Sequence, residues 1–106
     1  MRRGEIHWAA LGPPAGRRPV VVLTRDPAIP VMTAIVVAFV TTTIRGIATE
    51  VPVGRREGLP HRSVVACDNL ATVQKASLDP DPTGNLGPAK TRELDAALRF
   101  ALQIRS

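Results

Sequence analysis

A chain of 106 residues has room for one domain with a modest core, and two domains would each be too small to bury one. With 44% hydrophobic residues but only Trp8, Phe39 and Phe100 as aromatics, the core must be built from Val, Leu, Ile and Ala, which argues against an RRM or OB-type platform that stacks successive bases on rings. Fourteen Lys and Arg against nine Asp and Glu give a net charge of +5, favouring a polyanion or an acidic protein segment as partner without choosing between them.

Arg2 and Arg3 open the chain, but Glu5 and His7 follow at once and no continuous apolar run develops, so no secretory leader is expected. Residues 5–11 alternate apolar and polar at first, as a half-buried strand does, until Gly12-Pro13-Pro14-Ala15-Gly16 forces a loop. Residues 19–24 and 33–43 are rich in β-branched side chains and predict the central strands, separated by the break Asp26-Pro27-Ala28-Ile29-Pro30. The longest apolar run, 29–40, is shorter than the roughly 20 residues that span a bilayer and contains Pro30, so it reads as a buried strand and no membrane association is expected.

After a turn at Gly46, residues 49–53 place Thr49, Val51 and Val53 on one face, and Pro52 marks an edge strand. A polar loop, 54–60, leads to two further short strands, 63–67 and 71–73, and then a turn at 79–84. The chain closes differently. Pro88 suits a first helical position, and Leu94, Ala97, Leu98, Ala101 and Leu102 recur at the helix period, with Asp95 and Arg99 one turn apart and able to pair. The expected fold is therefore mainly β with one C-terminal helix: a small, strongly bent antiparallel sheet or barrel with the helix packed on it. The connections are too short and too proline-rich for parallel crossovers.

Several chemistries have no foothold. There is no glycine-rich phosphate loop before a helix, no pair of histidines at metal-ligand spacing and no Gly-x-Ser-x-Gly elbow. Cys67 is the only cysteine, which rules out an intrachain disulfide or a thiolate zinc cluster and fits a reducing cytoplasm. No metal or organic cofactor is expected, and His7 and His61 read as structural or solvated side chains.

Three local patterns remain: Gly16-Arg17-Arg18-Pro19 entering a strand, Thr41-Thr42-Thr43-Ile44-Arg45-Gly46 leaving one, and Ser63-Val64-Val65-Ala66-Cys67-Asp68-Asn69-Leu70. Singly, each has a bland explanation in solvated charge, strand propensity or turn chemistry. Together and in order they resemble the MazF/PemK toxin family. Arg3-Gly4-Glu5-Ile6-His7-Trp8 is similar to that family's opening R-G-[DE]-[IV]-W strand, with His7 inserted before the tryptophan, and Arg18-Pro19-Val20-Val21-Val22 to its R-P-x-x-V strand. Ala38-Phe39-Val40-Thr41, the segment 45–53, Gly58-Leu59-Pro60, Ser63-Val64-Val65 and the closing Leu94 to Leu98 complete a likeness that runs from Arg3 to about Ile104.

The resemblance implies one SH3-like barrel domain over residues 1–106, a cytoplasmic homodimer with a groove for single-stranded RNA, and a metal-independent endoribonuclease silenced by a cognate MazE-like antitoxin. Residue by residue, Arg18 and Thr41 match the family's catalytic arginine and threonine, and Asp68 and Asn69 a polar pair that helps bind RNA. Arg17 and Arg45 stand beside them as RNA-binding cations. The connections 12–17 and 25–32 are shorter than the family's usual loops, so a cleavage sequence and the details of antitoxin docking do not carry over. Two other readings stay open: a CcdB-like gyrase-binding toxin, disfavoured by the lack of a tryptophan-containing C-terminal tail, and a non-catalytic SH3-like interaction module.

Overall fold

The computed structural model describes residues 1–105. Six strands, β1 (Glu5–Ala10), β2 (Arg17–Val22), β3 (Ala34–Thr41), β4 (Glu50–Val53), β5 (Ser63–Gln74) and β6 (Gly84–Asn85), form one antiparallel sheet in the order β4-β5-β3-β2-β1-β6. One α-helix among the described residues, α1 (Gly87–Leu102), follows. The sheet curls into a half-barrel whose edge strands, β4 and β6, share no ladder. Pro52 sits on edge strand β4, where a missing N–H costs least.

Both faces of the sheet are buried, and the pattern of β2 explains how. Val20, Val21 and Val22 are all inaccessible to solvent, because successive side chains of a central strand point to opposite, equally covered faces. Val21 joins Ile6, Val40, Val51, Val65 and the helix residues Leu94 and Ala97 in one cluster; Val20 and Val22 join Ile29, Ile35, Val37 and Leu78 in the other. The first cluster is roofed by α1. The second is covered by the 3-10 turn Asp26–Val31, which corrects the expectation that the whole apolar run 29–40 is strand: Pro27 and Pro30 cannot join a central ladder, so the chain coils over the core and β3 begins only at Ala34.

The segments expected as two strands, 63–67 and 71–73, are one 12-residue strand, β5. Its pairing with β3 is interrupted by a bulge: Phe39 faces Ala66 whereas the adjacent Ala38 faces Leu70, so Cys67, Asp68 and Asn69 have no opposite residues. The Cys67 N–H turns instead to the Thr49 carbonyl, at 2.9 Å. The expected turn at 79–84 ends in the short strand β6, which pairs with β1. The expected pairing of Asp95 with Arg99 is not made, because Asp95 takes the Arg3 guanidinium at 2.9 Å and ties the helix to the start of the chain.

Cys67 belongs to the helix-side core, and burial, with the neighbouring Asp68 charge adding to it, pushes its thiol up to about 11. Only the thiolate is nucleophilic. In the folded protein Cys67 is therefore expected to resist iodoacetamide at about pH 8 and to be alkylated promptly in denaturant, as read by mass spectrometry; native-state labelling at the rate of a free thiol would contradict its burial. Among the described residues no helix is long and apolar enough to cross a membrane.

Candidate RNA-cleavage site

The ends of β2 and β3, the segment after β3 and the β5 bulge converge on one cavity of about 380 Å³. Its walls include Arg18, Thr41, Arg45, Asp68 and Asn69, five side chains drawn from three separate stretches of sequence. Each is placed by a local cause. Arg18 lies at the start of β2, paired across the ladder with Ala9, and its guanidinium stands over the Phe39 ring at 4.6 Å to the centroid, with Nη2 reaching the Val40 carbonyl at 3.3 Å. No carboxylate pairs with it among the described residues, so its charge is available to an anion.

Thr41 is the last residue of β3. Its Oγ1 accepts the Thr43 N–H at 3.1 Å, which leaves the hydroxyl proton free to donate into the cavity. The bulge carries Asp68 and Asn69 out of the ladder to exposed positions on the cavity wall, an effect that a regular strand cannot produce. Asp68 is steadied by the Thr49 hydroxyl, which donates to Oδ2 at 2.6 Å and leaves Oδ1 as an acceptor. Arg45 is exposed and unpaired with any acid among the described residues.

Arg17 does not share this cavity, although it adjoins Arg18 in the chain. Neighbours in a strand point to opposite faces, and Arg17 turns to Asp79, donating to Oδ1 at 3.1 Å and Oδ2 at 2.6 Å, with the Trp8 ring 5.6 Å away. The hydrogen bonds from Arg17 hold the Asp79 carboxyl below its ordinary range, and those to Asp79 raise the guanidinium further. Arg17 instead lines a second cavity of about 290 Å³ with Trp8, Leu59, Pro60 and His61. Arg18 and Thr41 border both cavities, so the two form one groove with those residues at its waist.

His7 is fully buried between two acceptors, the Asp79 carbonyl at 2.7 Å and Glu5 Oε1 at 2.9 Å. Burial would raise the Glu5 carboxyl, but hydrogen bonds from His7 and the Arg2 N–H outweigh it and hold the group below its ordinary range. The histidine thus braces β1 against the chain beneath Arg17 and has no opening to the groove. His61 is exposed at the lip of the second cavity.

The first cavity also includes Thr43, Ile47, Thr49, Glu50 and Ala66, which the sequence did not mark as site residues. Thr49 is buried and orients Asp68; Glu50 accepts the backbone N–H groups of Arg45 and Gly46. The available signal was a glutamate four residues beyond a glycine turn, a spacing that suits a side chain folding back on the turn's amides.

The fold agrees with comparisons against known proteins. The model of the PemK-like, MazF-like toxin of type II toxin-antitoxin systems matches residues 2–102. The probable endoribonuclease MazF5 of Mycobacterium tuberculosis is 42% identical over 101 residues, covering 94% of this chain and 91% of that protein. Among solved structures, the M. tuberculosis toxin MazF-mt6 superposes with a TM-score of 0.88 at 39% identity, covering 96% of this chain and 99% of the other. A mycobacterial endoribonuclease solved in complex with its cognate antitoxin gives 0.87 at 28% identity over 100% and 98% of the two chains. With the half-barrel, the closing helix and the family match all spanning nearly its whole length, the chain belongs to the PemK-like, MazF-like toxin family of type II toxin-antitoxin systems.

Proposed function

We propose that this chain is an endoribonuclease toxin that cuts single-stranded RNA and is neutralised by a MazE-like antitoxin. The observation that carries the reading is the convergence of Arg18, Thr41, Arg45, Asp68 and Asn69 on one cavity, with both arginines free of carboxylate partners among the described residues. In this scheme a ribose 2′-hydroxyl gives up its proton to solvent as its oxygen attacks the adjacent phosphorus, and the bond from phosphorus to the 5′-oxygen breaks as that oxygen takes a proton from solvent, leaving a 2′,3′-cyclic phosphate and a 5′-OH end. Negative charge grows on the equatorial phosphoryl oxygens as the phosphorane forms. The planar guanidinium of Arg18 offers paired donors to those oxygens, and the free hydroxyl proton of Thr41 adds another. Arg45 attracts the neighbouring phosphate, while Asp68 and Asn69 present acceptors and donors to a base edge. This scheme asks for no metal ion.

The same positive surface suits an acidic, partly apolar antitoxin tail that folds onto the groove, and relatives of this chain have been solved with antitoxins. We assign the active form as a homodimer acting in the cytoplasm, in keeping with the family.

The test is incubation of the purified protein with a long single-stranded RNA in EDTA, with end mapping and sedimentation alongside. Expected are discrete cuts leaving 5′-OH ends, an intact DNA of the same sequence, and a dimer at micromolar concentration. RNA left whole across a set covering all short motifs would overturn the ribonuclease in favour of a gyrase-binding or non-catalytic protein; 5′-phosphate ends would overturn the cyclising chemistry; a monomer would remove the dimer.

A further inference from the structure

Residues 42–48, between β3 and β4, are all exposed and belong to no strand, yet they carry Thr43, Arg45 and Ile47 of the first cavity and Thr42 of the second. An irregular exposed segment is ordinarily mobile, and contacts made by mobile side chains lose binding energy to the cost of ordering them. Its two ends are held by the Thr43 N–H donating to Thr41 Oγ1 at 3.1 Å and the Glu50 N–H donating to the Ile47 carbonyl at 3.0 Å, and its middle is gripped by one carboxylate. Glu50 Oε1 accepts the N–H of Arg45 at 3.0 Å and that of Gly46 at 2.9 Å, and Oε2 lies 3.3 Å from the Arg45 nitrogen. Glu50 itself is held firmly, because it is the first residue of β4 and pairs with Ala66 of β5. It has no cationic side chain as partner among the described residues, so its hydrogen bonds go to the backbone of this connection.

We propose that Glu50 is a positioning residue for RNA binding: its carboxylate clamps the Arg45 and Gly46 amides so that Arg45 stands ready at the groove. This rests on the endoribonuclease reading above. The reacting groups assigned there, Arg18 and Thr41, are carried by β2 and β3 and do not depend on the clamp. Losing Glu50 therefore weakens substrate binding and spares the chemical step. A purely electrostatic role forecasts the opposite sign, since an acid lining a cavity for phosphates repels them and its removal tightens binding.

The experiment compares Glu50→Ala and Glu50→Gln with wild type in three measurements. These are steady-state cleavage of one RNA, binding of the same RNA carrying 2′-deoxyribose at the cut, and hydrogen exchange of the Arg45 and Gly46 amides by NMR. Glu50→Ala is expected to raise KM and the Kd of the uncut analogue about tenfold with kcat within about threefold, because the charge-assisted hydrogen bonds that pre-order Arg45 for the bound RNA are lost while the reacting groups stay in place. Its Arg45 and Gly46 amides exchange faster. Glu50→Gln restores most of the affinity, since the amide oxygen can accept both N–H groups without a charge. A fall in KM, a loss confined to kcat, or a glutamine variant as impaired as the alanine one overturns the proposal. Wild-type protein that cuts no RNA would sink the endoribonuclease reading instead, and amide exchange unchanged by Glu50→Ala would sink the clamp on its own.

Discussion

Arg18→Ala is expected to slow RNA cleavage by about a thousandfold or more, the scale seen when a donor to developing negative charge on phosphorus or an oxyanion is removed. The size follows from what surrounds the side chain. Arg18 is half-buried at the waist of the groove, over the Phe39 ring, with no acid to share its charge among the described residues. A phosphorane would meet its donors with little competition. Arg18→Lys keeps the charge and loses the planar fork, so it should recover only part of the rate. The fold has little at stake, because the side chain contributes one cation–π contact and one long hydrogen bond to the Val40 carbonyl, about 1 kcal/mol in all. Single-turnover rates on one RNA, with melting curves beside them, check the expectation. A folded alanine variant cutting within about tenfold of wild type would remove Arg18 from the chemistry.

What could be read from the sequence was whatever is decided locally. The valines of β2, the proline on edge strand β4, the loop at 12–16 and the helical spacing of Leu94, Ala97, Leu98 and Ala101 each announce an element through their own periodicity or stereochemistry. Leu94 and Ala97 are indeed buried, whereas Leu102, at the end of the helix, is exposed. Elements decided by a distant partner were not legible. The bulge at 67–69 exists because β3 and the Thr49 carbonyl take different parts of β5, and nothing in Ser63 to Gln74 alone distinguishes one bulged strand from two short ones. Likewise β6 is a strand only because β1 offers it a free edge, and Asp95 prefers Arg3, ninety-two residues away, to the arginine one turn along its own helix.

The groove divides in the same way. Arg18, Thr41, Arg45, Asp68 and Asn69 lie in motifs whose order resembles the family's, and their meeting at one cavity depends on sheet topology. Arg17 lines only the second cavity of the groove, beside Arg18 and Thr41, and its partner, Asp79, cannot be identified from the chain around it. Glu50 escaped notice because its role lies in the backbone amides it accepts, and amides leave no trace in a sequence.

The second large effect is expected where the half-barrel closes. Without a ladder between β4 and β6, the edges meet through the backbone of Glu57 and Gly58 packed directly on that of Thr83 and Gly84, joined by a 3.0 Å hydrogen bond from the Thr83 hydroxyl to the Gly58 carbonyl. A Cβ on Gly84 would lie well inside contact distance of the Glu57 carbonyl oxygen, and one on Gly58 equally close to the Thr83 oxygen, where Gly58 also holds a left-handed φ of +86°. The obstacle in both cases is main chain, which cannot step aside as a flexible side chain can. Gly84→Ala should therefore cost about 3 kcal/mol or more, enough to lower the melting temperature of a domain this size by more than about 10 °C. Gly16→Ala supplies the comparison: it too meets a left-handed φ, +67°, but in open space, so only the conformational cost of about 1 kcal/mol applies. Equal losses at the two positions, measured by urea or thermal unfolding, would show that the edges are not locked together. A much larger loss at Gly84 would place the closure beneath function as well, because the loop it secures carries Leu59 and Pro60 to the wall of the groove that Arg18 and Thr41 share.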